Sequence, residues 1–227
     1  MMPSAALLHL LQLASPSLPI GAYSYSQGLE AAIENGSVSD AVSARAWIVD
    51  HLLLVVSYFE APILWRLLHA FAVRDGDAVQ RWTECFIAAR DTAEFRAETI
   101  QMGYSLGKLL TDLAIADASA LAILHSQAEI PLPTALACAA VALQVPPEAV
   151  LLGSLFSWAE NQVLVCVKSV PLGQVSGQRL LLSLRPELEL AARTAQQLPD
   201  DELSNWAPGL SLLSMQHEVQ YSRLYRS

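Results

Sequence analysis

Apolar side chains recur at three- and four-residue spacing along almost all of this 227-residue chain. No stretch alternates apolar and polar residues between hairpin turns, so helices rather than sheets must bury the core. No Pro/Gly/Ser-rich linker divides the chain and no internal repeat is visible. The expected fold is all-α: a single domain of about eight to ten packed helices over residues 1–227, with a C-terminal tail at 217–227.

Local signals place the elements. A first helix runs from Ala5 to Ser15 and stops before Pro16, because a residue preceding proline avoids the helical region. A loop, SPSLPIGAYSYSQGLE, follows. The next helix spans Ser26 to Glu34 and ends at Asn35-Gly36, a C-cap pair. Ser39 is expected to cap the third helix, with Asp40 in its first turn. Pro62 predicts a kink or restart, and Asp75-Gly76 a turn before a helix from Asp77. Further helices are expected from Thr92, near Ser119–Gln127, Thr134–Gln144 and Pro147–Lys168. Pro171-Leu-Gly173 breaks the chain before a last long helical region interrupted at Pro186. A short helix at Leu210–Gln216 precedes the tail.

Charge then excludes partners. The chain carries 13 basic against 22 acidic residues, a formal net charge of -9, and only two lysines, Lys108 and Lys168. A phosphate backbone or an anionic bilayer surface needs clustered Lys and Arg, so neither nucleic acid nor a membrane is an expected partner. The longest uncharged stretch, between Glu129 and Glu148, is broken by prolines and reads as core. The N-terminus lacks the basic segment of a signal peptide. Cys85, Cys138 and Cys166 are unpaired in spacing, as in a reducing compartment. A cytoplasmic location is the expectation.

Catalytic motifs fail in turn. There is no G-x-S-x-G elbow, and the three Cys lie in apolar periodic stretches where thiols are structural. His9, His51, His69, His125 and His217 are too dispersed for a metal site within one helix. Gly103–Lys108 resembles a P-loop but is one residue short between its glycines and lacks the following Ser or Thr. Small residues for close helix packing account for it better. Arg90, Glu94, Arg96 and Glu98 read as a solvated, weakly paired helix face. The alternative reading is a small helical enzyme using Asp50, Glu94 or Glu98 as acid or base. It requires a strongly shifted carboxylate in a closed pocket.

Three segments exceed what helix building needs: Ser15–Glu30 with its Tyr and Ser residues, Glu160–Lys168 with polar residues in apolar surroundings, and the Tyr- and Arg-bearing tail. They carry a resemblance. Leu13–Glu30, LASPSLPIGAYSYSQGLE, looks like the N-terminal signature of the urease accessory protein UreF family, with Tyr23 where that family often has Phe. Similar blocks follow in order: Arg90-Asp-Thr with Glu94, Arg96 and Met102-Gly103; Lys168 with Val170–Gln174; and His217–Ser227. The resemblance spans the chain. It implies a non-catalytic, all-helical, homodimeric factor that binds UreD/UreH and recruits the GTPase UreG. That assembly delivers nickel to the urease apoenzyme. Nickel and GTP would then be handled by the partners, with no cofactor bound tightly and no catalytic or metal site here. On the same resemblance, Glu30 and Lys168 are expected at the face for the GTPase. Tyr221, Arg223, Leu224 and Tyr225 are expected as tail anchors for UreD/UreH, the tail ordering as it binds.

Overall fold

The computed structural model describes residues 2–170 and 172–227. Among these it contains eleven α-helices and no strand. They are α1 (Ser4–Leu13), α2 (Leu29–Glu34), α3 (Ala41–Ala72), α4 (Gly76–Ala88), α5 (Ala93–Asp112) and α6 (Ala118–His125). After these come α7 (Leu132–Ala142), α8 (Pro147–Ser169), α9 (Gln174–Ser183), α10 (Arg185–Gln197) and α11 (Pro208–Glu218). Pro171, part of the expected break after α8, lies outside the described residues.

Two helices form the spine. The middle of α3 packs on α10, and its C-terminal half packs on α4, α7 and α8. The outer helices α9 and α10 lean on α8, while α1 crosses α7 and α8. Both α3 and α8 are long and apolar enough to span a bilayer. Here they supply the core: Ile48, Leu52, Ile63, Leu67, Phe71 and Leu151 have essentially no exposed surface.

Pro62 does not restart α3. The nine residues Leu52–Glu60 before it are wound as π-helix, and the helix runs on. Proline has no N–H to reach back with, and the carbonyl of Tyr58, four residues earlier, accepts instead from the N–H of Ser204 at 3.1 Å. Such widened turns relieve strain without ending a helix.

Two boundaries move from their expected places. The cap of α3 is Asp40, not Ser39: its carboxylate accepts from Ser43 N–H while Ser43 Oγ accepts from Asp40 N–H, a closed capping box. The second helix starts at Leu29 rather than Ser26, because Gln27 and Gly28 take left-handed φ of 56° and 80°. That turn aims Gln27 inward, into the site described next.

Candidate functional site

The three segments that helix building left over meet at one place. The loop Ser15–Glu30 lies between α5, the polar end of α8 and the C-terminal tail. Tyr23 donates its hydroxyl to Glu160 at 2.5 Å, and Tyr25 donates to Gln101 of α5 at 2.9 Å. Asn161 and Gln162 donate to the carbonyls of Tyr25 and Ser26. Gln27 accepts from the Trp158 indole at 2.7 Å and donates to Glu98 at 2.6 Å. The polar residues of α8 are thus spent on holding an irregular loop whose backbone groups need partners.

The tail is held by the same loop. Glu30, 6% exposed, accepts from the backbone N–H groups of Leu224 and Tyr225 at 2.7 and 3.1 Å. Its Oε2 also lies 2.9 Å from Nε2 of His217, a fully buried ring whose Nδ1 lies 3.0 Å from the Glu94 carboxylate. Each of the two ring nitrogens thus faces a carboxylate oxygen. Arg223 adds a 3.3 Å contact to Glu94. Farther along, Arg226 N–H donates to the Ser24 carbonyl, and Ser26 donates through both N–H and Oγ to the Ser227 carbonyl. Ser227 Oγ donates to Glu98 at 2.6 Å.

The residues singled out from sequence therefore divide. Glu30, Arg223, Leu224 and Tyr225 come together, and Lys168 joins them, its Nζ 5.5 Å from the Tyr225 ring. Glu30 and Tyr225 face inward, the Tyr225 hydroxyl being pushed up to about 12 by burial and by Glu30. Lys168, Leu224 and Tyr221 are exposed. The tail is already packed on its own chain.

The charged face expected on one solvated helix is overturned. Arg90 precedes α5 and its side chain is covered, paired to Glu60 of α3 at 2.6 Å. Glu94 is taken by His217, and Glu98 is 4% exposed. Of the four, only Arg96, paired with Glu129, keeps a substantially exposed side chain. His217, Gln27 and Ser227 lie within the segments that carry the resemblance but are not among the expected site residues. No local signal separates Glu94 and Glu98, one turn apart, from a solvated pair.

Glu98 meets the condition set for an enzyme, since burial pushes its carboxyl up to about 7. Yet one oxygen accepts from Gln27 and the other from Ser227. Asp50 is exposed. Cys138 and Cys166 are held near 12 by burial, far from a reactive thiolate. Among the described residues no group of three His, Cys, Asp or Glu side chains has metal-holding geometry.

The raised Glu98 value has a pH signature. The folded state keeps a proton that the unfolded chain releases near 4.5, so this group's contribution declines as pH rises from there toward 7. His51 runs the other way: burial lowers it to about 4, and its contribution is lost as pH falls from 6.5 toward that value. Because the two contributions run in opposite directions over the same window, Glu98→Gln is expected to make the urea-unfolding free energy rise more steeply with pH between about pH 5 and about 7. An unchanged slope would refute the assignment.

A family model for UreF matches residues 38–185, from just before α3 into α10. The urease accessory protein UreF of Janthinobacterium sp. (strain Marseille) is 78% identical over 226 residues, covering 100% of both chains. That of Nitrosospira multiformis is 69% identical over 222 residues, 98% of each. That of Dechloromonas aromatica is 47% identical over 222 residues, 97% of each. These matches include the loop and the tail that the family model leaves out, and the chain belongs to the UreF family of urease accessory proteins.

Proposed function

We propose that this chain is a non-catalytic assembly factor in urease maturation, bridging UreD/UreH and the GTPase UreG so that GTP hydrolysis is coupled to nickel insertion into the urease apoenzyme. Support comes from the name that the relatives carry, urease accessory protein UreF, and from one structural observation. Three separate segments are spent on pinning a tail whose outer side chains stay exposed. Val219, Tyr221 and Leu224 are 84%, 104% and 73% exposed. Apolar and aromatic side chains fixed on a rigid support are the economical way to make a hot spot, because their ordering cost is met before binding.

In this reading Tyr221 and Leu224 contact UreD/UreH, while Glu30 and Tyr225 hold them in place from beneath. Arg223 steadies the tail through Glu94. Lys168 stands beside the tail as the exposed cation of a second face, for UreG. Nickel and GTP chemistry belong to the partners. The chain works in the cytoplasm as a homodimer, consistent with the apolar face of α1 left open at Leu7, Leu8 and Leu11.

Size exclusion with light scattering tests this. The full chain is expected to form a larger complex with UreD/UreH and then to recruit UreG with GTP. Tyr221→Ala with Leu224→Ala touches no buried side chain and is expected to weaken UreD/UreH binding by about tenfold or more. Lys168→Ala is expected to leave that step intact and reduce UreG recruitment. If the double variant binds UreD/UreH like the parent chain, the tail is not the anchor. If Lys168→Ala changes neither UreG binding nor GTPase rate, Lys168 leaves the account.

A further inference from the structure

Residues 219–227 form no helix, and from Tyr221 onward only Tyr225 and Ser227 are buried. The tail is thus a strap fixed at a few points, the kind of segment that opens locally while the helices stay folded. Its last fixing point is Glu98 of α5. That residue is 4% exposed, and two groups cover its carboxyl. Gln27 of the loop stands 2.6 Å from Oε1, and Ser227 Oγ stands 2.6 Å from Oε2. Lifting the tail removes the second cover.

The hydrogen bonds at Glu98 are complete with a proton in place. Gln27 is fixed as a donor to Glu98, because its own carbonyl accepts from the Trp158 indole at 2.7 Å. Oε1 of Glu98 is therefore an acceptor in either protonation state. The other oxygen meets a hydroxyl, which can give or take a hydrogen bond, so Oε2 is matched both as an anion and as O–H. Charge decides between the two. Arg90, from before α5, favours ionisation but is paired to Glu60 of α3, which opposes it. From the tail, Arg226 acts on the Tyr25 hydroxyl. One turn earlier on α5, Glu94 is taken up with His217 and Arg223. A buried carboxylate without its own cation is costly, and burial pushes this carboxyl up to about 7.

We propose that Glu98 is a proton-linked latch for the tail: the carboxyl holds a proton while Ser227 covers it, and gives that proton to water when the tail lifts. The covered carboxyl binds its proton more tightly than the open one, so raising the pH favours the open tail. The window runs from the ordinary carboxyl value of 4.5 up to about 7, above which both forms are ionised and the balance stops changing. The latch concerns the contact of the tail with its own chain and stands whether or not UreD/UreH is what the tail meets.

Trypsin reads the open tail through Arg223 and Arg226. Cleavage there is followed on the full chain from about pH 5 to about pH 7.5. Each rate is divided by that of a free peptide of residues 217–227 at the same pH, which cancels the pH dependence of the protease itself. The ratio is expected to rise by about tenfold or more across that range. Glu98→Gln keeps an acceptor for Gln27 and a donor for Ser227 without titrating, and its ratio is expected to stay level. A level ratio in the parent chain overturns the proposal. So does an equal rise in folded Glu98→Gln, which would assign the titration to another group of the tail contact, such as His217 between Glu30 and Glu94. Should that variant not fold, an NMR titration of the glutamate side-chain carboxyls in the parent chain decides. One carboxyl is expected to titrate near neutrality, over the range in which the ratio rises, and the absence of any such carboxyl overturns the latch.

Discussion

Glu30→Ala is expected to lower the unfolding free energy by about 3–5 kcal/mol, since each covered donor left without its acceptor costs about 1–3 kcal/mol. The size follows from what the carboxylate holds. It is the acceptor for two consecutive tail N–H groups and the partner of Nε2 of a fully buried His217. Without it, those N–H groups and the ring lose their acceptor while staying out of water, or the tail leaves. Two measurements separate these. Urea unfolding reads the loss of stability, and limited trypsin digestion reads release, since Arg223 and Arg226 lie in the tail. Glu30→Gln keeps one carbonyl acceptor and is expected to lose less. An unchanged urea midpoint in Glu30→Ala, with unchanged tail cleavage, would show that the tail is held by something else. The same variant should impair UreD/UreH binding although Glu30 itself is covered, because Tyr221 and Leu224 would no longer be presented on a fixed support.

How far the sequence could be read depended on the distance between the residues that interact. Helix existence is a local matter: three- and four-residue periodicity, a helix beginning around Thr92 and Asn35-Gly36 at the end of α2 all appear as expected. The one-residue shift from Ser39 to Asp40 is also local, since either side chain can cap and only Asp40 stands three residues before Ser43. The charged face could not be read this way. Glu94 and His217 are 123 residues apart, and Glu98 and Ser227 are 129 apart. Within their own helix, Glu94 and Glu98 have the spacing of a solvated surface. Only the tail's return across that surface makes them buried acceptors. Gln27 was hidden for a different reason. Nothing in a Ser-Gln-Gly run announces that Gln takes a left-handed conformation, yet this is what carries its amide between Trp158 and Glu98.

Gly103→Ala is expected to cost about 3 kcal/mol, at the upper end of what overpacking does. That corresponds to a drop in melting temperature of about 6–12 °C for a chain of this length. A Cβ at this position would lie 2.0 Å from the Ile130 carbonyl oxygen and 2.5 Å from the Pro131 carbonyl carbon. Those are backbone atoms, so no rotamer change can clear them, and α5 must move away from the chain entering α7. The approach is fixed one turn earlier as well, where Thr99 Oγ1 accepts the N–H of Leu132 at 3.1 Å. Gly107, the other glycine of the same near-motif, supplies the control. Its added Cβ would meet only the Leu124 side chain, at 3.7 Å, an ordinary contact. Gly107→Ala is therefore expected to be neutral or to gain up to about 1 kcal/mol from helix propensity. Thermal unfolding followed by circular dichroism distinguishes the two. Equal melting temperatures for both variants would mean that the spacing of these glycines is not set by helix packing. A large drop confined to Gly103→Ala would explain why these two glycines sit in the middle of a helix: one of them is the clearance between α5 and the backbone it rests on.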